Sequence, residues 1–173
     1  NPAIVANLQY ICSNGGTATL TEDVTLVRPL IVKEGVKVVL DLNGFDIINN
    51  TESEVFGEGE GIIVYGDLTI NGTGTVQGKT MAVWARGNSG AKVVINGGTY
   101  KGCAEGFAKG GRSVVYASSG NVINIFGELV TFGIFHPLQG GILEFLKAIP
   151  ALAKERGIGF ALPSELCEEN SVG

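Results

Sequence analysis

Apolar and polar residues alternate over short stretches along most of this chain, and glycine interrupts the alternation. The stretch "LTI" at residues 68–70, for example, leads directly into Asn71 and Gly72. Alternation with a period of two predicts short, half-buried β-strands. An Asn-Gly pair between two such stretches is also a strong signal for a tight β-hairpin. The local pattern therefore allows either several separate hairpins or one turn that recurs through a larger repeat.

The spacing of the Asn-Gly turns favours the repeat. An apolar-x-apolar stretch precedes each turn, and the aligned copies are Leu40-Asp41-Leu42-Asn43-Gly44, Leu68-Thr69-Ile70-Asn71-Gly72, Val93-Val94-Ile95-Asn96-Gly97 and the degenerate Ile123-Asn124-Ile125-Phe126-Gly127. The glycines are roughly 25 to 30 residues apart, a period typical of stacked-repeat proteins. We therefore expect the pairs at 43–44, 71–72 and 96–97 to form equivalent structural turns.

Each repeat contains two further strand-like stretches. Upstream of the turn lie "LIVKEG", "GIIVYGD", "MAVWARG" and "SVVYASSG", and downstream lie "GFDIINN", "GTVQG" and "GTYKG". Three short strands per repeat, without a helix between them, predict a parallel β-helix whose equivalent strands stack around one apolar interior. An antiparallel sandwich is the alternative, but it leaves the upstream strand of every repeat unexplained.

Asn and Gly suit the corners of such a repeat. A corner needs positive φ, which Gly adopts freely and Asn tolerates better than most residues. Equivalent Asn side chains on successive repeats are also able to form a hydrogen-bonded ladder. We expect the aliphatic side chains to point inward, with Asp41, Thr69, Lys92 and Asn124 pointing outward.

The stretch "GGTATLTEDVTLVRPLIVKEGVKVVLDLNGFDII", followed by "GDLTINGTGTVQG", resembles the right-handed β-helix repeats of the pectate-lyase-like superfamily. It is most similar to versions found in bacteriophage and gut-bacterial surface proteins, and the resemblance covers about residues 15–127. It implies a fold more than an activity, because this superfamily contains lyases, hydrolases, adhesins and viral fibres.

The pattern changes at Gly133. The stretch "GGILEFLKAIPALAKERG" places Ile142, Phe145, Leu146 and Ile149 near one helical face. An amphipathic helix across the last repeat would cover its open strand edges, although packing against a neighbouring subunit is an alternative. We therefore expect an all-β fold: a right-handed parallel β-helix over residues 1–132, with a short C-terminal helical cap or interaction tail over residues 133–173.

Residues 131–166 also resemble a segment of the family-57 glycoside hydrolases. In that family an Asp-Tyr-Glu precedes Thr-Phe-Gly, and the Asp is the catalytic acid. Here Thr131-Phe132-Gly133 follows Glu128, Leu129 and Val130, so the acid position is Glu128 and Val130 replaces the second carboxylate. The resemblance therefore does not imply glycosidase activity, and a fusion of two sequence types near residue 125 is an alternative origin of the junction.

Charge and cysteine content narrow the function classes. The 173 residues carry a formal net charge of −5, with twelve Lys and Arg scattered along the chain, so we expect no nucleic-acid partner. No apolar stretch reaches the length of a membrane span, so we expect no membrane partner. Cys12, Cys103 and Cys167 are an odd number without metal-ligand spacing, which favours buried free thiols.

Candidate catalytic groups do not converge in the sequence. The acids Glu52, Glu54, Glu58 and Glu60 fall in "TESEVFGEGEG", which lacks the spacing of a calcium loop and is interpreted as a solvated excursion. Lyases of the resembled superfamily use calcium-binding carboxylates with an Arg or Lys base, but no acidic triplet accompanies Arg86 or Arg112. The sole histidine, His136, excludes a multi-histidine zinc site. We therefore assign no catalytic residue, no metal ligand and no cofactor.

Three aromatic residues form the candidate contact site. Tyr65, Trp84 and Tyr116 fall in the upstream strands and are able to stack on successive repeats. Pointing outward, they would bind a surface glycan or another subunit, and pointing inward they would belong to the core.

The sequence as a whole predicts a noncatalytic structural or adhesive β-helix protein on a virion or extracellular surface. The expected partners are further copies of the chain, as the trimers of the resembled phage proteins imply, or other virion proteins. A polysaccharide lyase or hydrolase that acts on a bacterial-surface glycan is the alternative, and a carbohydrate-binding module is a third possibility.

Overall fold

The computed structural model describes residues 1–102, 114–126 and 130–132. Contacts divide the chain into a first unit, Asn1–Phe135, and a second unit, His136–Gly173, and all described residues lie in the first unit. The helical tail expected over residues 133–173 lies outside the described residues, as do Cys103 and Cys167. Within the described part of the chain, no helix has the length and apolar character that a membrane span requires.

The one helix in the described residues is at the N-terminus, where the sequence pattern did not predict it. Helix α1 spans Pro2–Asn14, and the Asn1 side chain caps it by accepting a hydrogen bond from the N–H of Ala3 at 3.1 Å. Proline in the first turn and glycine directly after the last residue are the usual residues at helix ends. The side chains of Leu8 and Cys12 on one face of α1 are buried.

The rest of the described chain consists mainly of short strands. They are β1 (Gly16–Thr19), β2 (Val24–Leu26), β3 (Leu30–Val32), β4 (Lys37–Asp41), β5 (Ile47–Asn49), β6 (Ile62–Val64), β7 (Asp67–Asn71), β8 (Thr75–Gln77), β9 (Val83–Ala85), β10 (Lys92–Ile95), β11 (Thr99–Lys101), β12 (Val115–Ala117), β13 (Val122–Ile125) and β14 (Val130–Phe132). Every upstream and downstream stretch that the sequence predicted as a strand contains one.

The strands form three parallel sheets, and the chain visits these sheets in rotation. The first sheet has the order β1-β4-β7-β10-β13, the second has β2-β5-β8-β11-β14, and the third has β3-β6-β9-β12. Each pair of neighbouring strands in the described residues is parallel. The fold is therefore mostly β with parallel sheets, and the antiparallel alternative is wrong. We call three consecutive strands, one from each sheet, a circuit.

The register confirms the predicted alignment of the later repeats and corrects the first. Val93 lies opposite Leu68, as predicted. In the first repeat, however, Leu40 lies opposite Ile70, and Val38 takes the position opposite Leu68. The first copy was therefore aligned two residues out of register. Alternation with a period of two cannot reveal this shift, because the residues at 38, 40 and 42 are all aliphatic.

Inward-facing aliphatic side chains of all three sheets pack into one apolar cluster. Leu40, Ile70 and Ile95 on three successive circuits illustrate the stacking, since they are in register and at most 3% exposed. The outward-facing positions of the same strands also align, and Lys37, Asp67 and Lys92 place alternating charges side by side. The predicted orientation of the aliphatic residues is confirmed.

Helix α1 covers the first circuit and occupies part of its strand edge. The Gln9 side-chain amide binds the backbone of the edge strand β3: Nε2 donates to the Ile31 carbonyl, and Oε1 accepts from the Ile31 N–H, both at 3.1 Å. The Lys33 N–H donates to the Cys12 carbonyl at 3.0 Å. These contacts satisfy backbone groups that an edge strand otherwise leaves open to association. The end that the structure shows to be covered is thus the N-terminal one.

Candidate functional site

The outer face of the third sheet carries the candidate contact residues. Along β3, β6, β9 and β12 the inward residues belong to the apolar cluster, so the middle residue of each strand points away from it. The register aligns these middle residues in one row, which runs Ile31, Ile63, Trp84, Tyr116. Trp84 and Tyr116 are therefore neighbours on adjacent strands, as predicted.

Tyr65 does not belong to this row. It follows β6, and the residue that lies opposite Trp84 on that strand is Ile63. The Tyr65 ring instead lies beside Gly87, where an added Cβ would be 3.8 Å from the ring atom Cε1. The structure thus brings together two of the three aromatic residues. The error again amounts to two residues in an alternating pattern, since Tyr65 lies two positions after Ile63.

A longer connection packs against this face. Residues 50–61 join β5 to β6, whereas residues 78–82 suffice to join β8 to β9 one circuit later. Buried Asn49 holds the base of the longer connection, because its Nδ2 donates to the Glu58 carbonyl at 2.9 Å and to the Glu60 carbonyl at 2.7 Å. The segment interpreted as a solvated excursion is therefore anchored to the sheets.

Trp84 is held on several sides. The Phe56 ring, from the longer connection, meets it edge to face with 6.1 Å between the ring centroids. The Arg86 guanidinium lies 4.6 Å from the Trp84 ring centroid, within the range of a cation–π interaction. The indole N–H donates to Ser118 Oγ at 3.0 Å. The Trp84 side chain is consequently only 7% exposed, although it points away from the central apolar cluster.

We define the Trp84 cluster as Phe56, Met81, Trp84, Arg86 and Tyr116. Met81 is fully buried and packs against Trp84, and Tyr116 is partly buried against the same pair. The cluster exposes a mixed surface, because Phe56 remains 39% exposed. Aromatic and Arg side chains of this kind are enriched where proteins contact partners. The sequence-based prediction missed Phe56, whose only sequence signal is an aromatic residue within an otherwise acidic stretch.

Two buried polar side chains lie beside this surface. Glu60 is fully buried, and its Oε2 accepts a hydrogen bond from the Gly57 N–H at 2.9 Å. Glu60 Oε1 and Thr80 Oγ1 are both buried and have no hydrogen-bond partner among the residues that the structure describes. They belong to successive circuits, since the Thr80 N–H donates to the Gly59 carbonyl at 3.1 Å. A buried polar atom without a partner costs about 1–3 kcal/mol, so these two atoms lower the stability of this part of the fold.

The exposed acids of the longer connection contribute little to binding chemistry by themselves. Glu52 pairs with Lys79 at 3.2 Å, but its side chain is 93% exposed, and pairs of this kind stabilise proteins weakly. Among the described residues, no three His, Cys, Asp or Glu side chains are grouped so that they could hold a metal ion.

The predicted turn residues form two structural environments. Asn71 and Asn96 are equivalent, and Asn96 Nδ2 donates to Asn71 Oδ1 at 2.8 Å, so one step of the predicted ladder is present. Asn43 is displaced from this row, and its Nδ2 donates instead to the Leu20 carbonyl at 3.0 Å. Gly44, Gly72 and Gly97 have positive φ, as the corners require. Asn43 also has positive φ, at 49°.

Burial changes the proton affinity of two groups in the core. Desolvation raises the pKa of the Cys12 thiol from 9.0 to about 11, and it also raises the pKa of the Tyr100 hydroxyl. The Tyr100 hydroxyl donates to the Gly97 carbonyl at 3.0 Å. Cys12 is free and buried, which confirms the prediction for this cysteine and makes it unreactive at neutral pH.

No protein-family model, curated protein or solved structure matches this chain.

Proposed function

We propose that this chain is a right-handed parallel β-helix of the pectate-lyase-like type and that it serves as a noncatalytic structural or adhesive component of a virion surface. The single observation that carries the proposal is the rotation of the strands through three parallel sheets that share one apolar cluster. Stacked repeats of this kind make a stiff scaffold with a repetitive outer surface, which suits display and adhesion.

The surface proposed for contact is the outer face of the third sheet. Tyr116 and Tyr65 are partly exposed there, and Phe56 extends the apolar area beyond the row of strands. The nearly buried Trp84 ring positions two side chains of this surface, because it contacts the Phe56 ring and the Arg86 guanidinium. The proposed partner is a surface glycan, because sugar rings stack on aromatic faces, or a further copy of the chain in a trimer.

Binding to immobilised bacterial-surface glycans tests the adhesive function. Phe56→Ala and Tyr116→Ala are expected to weaken binding at least severalfold. Tyr10→Ala is the matched control, because Tyr10 lies on α1 and is 66% exposed. Equal binding by all three variants and the unaltered chain would reject the contact surface.

Assays for reducing ends and for unsaturated products on capsular glycans separate this proposal from the polysaccharide lyase or hydrolase. Hydrolysis of a glycosidic bond normally uses two carboxylates on opposite sides of that bond. The proposal predicts no turnover, and clear turnover would reject the noncatalytic function.

Mass spectrometry of purified particles tests the proposed virion location, and sedimentation tests the proposed trimer.

A further inference from the structure

The sequence contains four Asn-Gly pairs, at 14–15, 43–44, 71–72 and 96–97. An Asn side chain is chemically labile when a glycine follows it, because the glycine N–H has no neighbouring side chain to hinder its approach. The four pairs share this local sequence, so differences in their rates must arise from the fold. Asparagine is among the residues whose chemical lability limits the lifetime of folded proteins.

The reaction requires water and no other partner. The backbone nitrogen of the glycine loses its proton to solvent and attacks the Asn side-chain carbon Cγ. A new C–N bond forms, the bond from Cγ to Nδ2 breaks, and ammonia leaves with the proton. Water then opens the resulting succinimide ring at either carbonyl, which yields Asp or isoaspartate. A fold slows the first step when it engages the glycine N–H or fixes the Asn side chain.

Two of the pairs are held in this way. The Gly15 N–H donates to the Ile11 carbonyl at 2.8 Å, and the Gly44 N–H donates to the Thr73 carbonyl at 2.7 Å. Their Asn side chains are also fixed, since Asn14 Nδ2 donates to the Tyr10 carbonyl and Asn43 Nδ2 to the Leu20 carbonyl. Attack at either pair must break backbone interactions that belong to the fold.

In the other two pairs the glycine N–H is not held, and among the described residues the Asn side chains bind only each other. Neither the Gly72 N–H nor the Gly97 N–H makes a hydrogen bond within the described residues. The side chains of Asn71 and Asn96 hydrogen-bond to each other, in an exposed contact. Both glycines therefore present a free backbone nitrogen beside an accessible amide.

A neighbouring charge distinguishes the two unprotected pairs. Asp41 is the register partner of Asn71, and its carboxylate lies so close to Gly72 that an added Cβ there would collide with Oδ1. A negative charge at this position opposes both deprotonation of the Gly72 nitrogen and the anionic intermediate at Cγ. On the other side, the described residue that flanks Asn96 is the uncharged Phe126, whose N–H donates to the Ile95 carbonyl.

We infer that Asn96–Gly97 is a site of spontaneous deamidation and that it reacts fastest of the four pairs in the folded protein. The conversion replaces the amide that donates to Asn71 Oδ1 with a carboxylate. The isoaspartate product also lengthens the backbone at the corner between β10 and β11, where the Gly97 carbonyl accepts the Tyr100 hydroxyl. Spontaneous chemical damage to the stacked strands therefore begins at this corner.

Peptide mapping of the full chain after incubation in mildly alkaline buffer tests the inference. Parallel samples are kept folded or unfolded in urea, and isotopically heavy water marks the oxygen gained at each converted Asn. In the folded sample Asn96 is expected to convert severalfold faster than the Asn of the other three pairs. In urea the differences should largely disappear. A folded sample in which Asn14, Asn43 or Asn71 converts as fast as Asn96 would overturn the inference.

Two substitutions test the physical cause. Asp41→Asn keeps an oxygen that can accept from the Asn43 N–H, removes the charge beside Gly72, and is expected to accelerate conversion of Asn71 severalfold. Deamidated protein is more acidic and can be separated by ion exchange. Asn96→Gln is expected to abolish most of this acidic species, whereas the matched Asn43→Gln is expected to leave it at the level of the unaltered chain. An unchanged rate at Asn71 in Asp41→Asn would contradict the assigned role of the charge. Persistence of the acidic species in Asn96→Gln would contradict the site itself.

Discussion

Truncation of Ile70 probes the stacked interior directly. Its side chain is fully buried and lies in register between Leu40 and Ile95 on the neighbouring circuits. Ile70→Ala removes apolar groups worth about 2.4 kcal/mol, at about 0.8 kcal/mol for each buried methylene equivalent. The cavity left between two fixed neighbours adds to this loss, so we expect a decrease of about 3–4 kcal/mol in the free energy of unfolding.

Urea unfolding followed by the fluorescence of the sole tryptophan, Trp84, measures this decrease. Thr69→Ala is the matched control, because Thr69 is the preceding residue of the same strand and faces outward between Val39 and Val94. The control should cost less than about 1 kcal/mol. A loss below about 1 kcal/mol for Ile70→Ala, or equal losses for the two variants, would refute the stacked interior.

Three further predictions concern the outer surface, the core and the covered end. Asp67→Lys places a third lysine between Lys37 and Lys92 and should lower the free energy of unfolding by about 0.5–1 kcal/mol in urea titrations. The loss should be smaller at high salt, and Asp67→Asn should show no such salt dependence. Because burial raises the pKa of Cys12 in the folded state to about 11, its contribution to stability is complete below about pH 9 and is lost as the pH rises toward 11. The difference in urea midpoint between the unaltered chain and Cys12→Ala should therefore shrink across this range, and a constant difference would contradict it. Gln9→Ala leaves the backbone groups of Ile31 unpaired, so the variant should associate at high concentration in sedimentation experiments. Gln9→Glu should associate as well, because a carboxylate cannot donate a hydrogen bond to the Ile31 carbonyl.

The sequence predicted the strands and their parallel stacking because turn residues and aliphatic alternation repeat together. Asn71–Gly72 and Asn96–Gly97 close equal apolar stretches, and their strands align without displacement. The first repeat misled the alignment because its Asn43-Gly44 pair lies two residues beyond Asp41, the residue opposite Asn71, and Leu42 extends the aliphatic alternation into the corner. Only the hydrogen-bonded register distinguishes Leu40 from Leu42, since both are buried aliphatic residues two positions apart.

The candidate site was less predictable because its contacts are long-range. Phe56 reaches Trp84 only through the path of the connection between β5 and β6, which no local pattern specifies. The burial of Glu60 contradicts the ordinary preference of a glutamate for solvent, so composition argues against it. Helix α1 was missed for a different reason: its capping residues Asn1 and Gly15 fit a helix, but its apolar residues gave no clear period.

Nuclear Overhauser effects between backbone amides of deuterated, nitrogen-15-labelled protein test the parallel stacking most directly. The structure predicts cross-strand contacts that join β7 to β4 and β10, with Thr69 in register with Val39 and Val94. Cross-strand contacts in an antiparallel pattern between β7 and the next strand in sequence, β8, would instead place Gly72 at the tip of a hairpin and would contradict the fold and the function proposed from it.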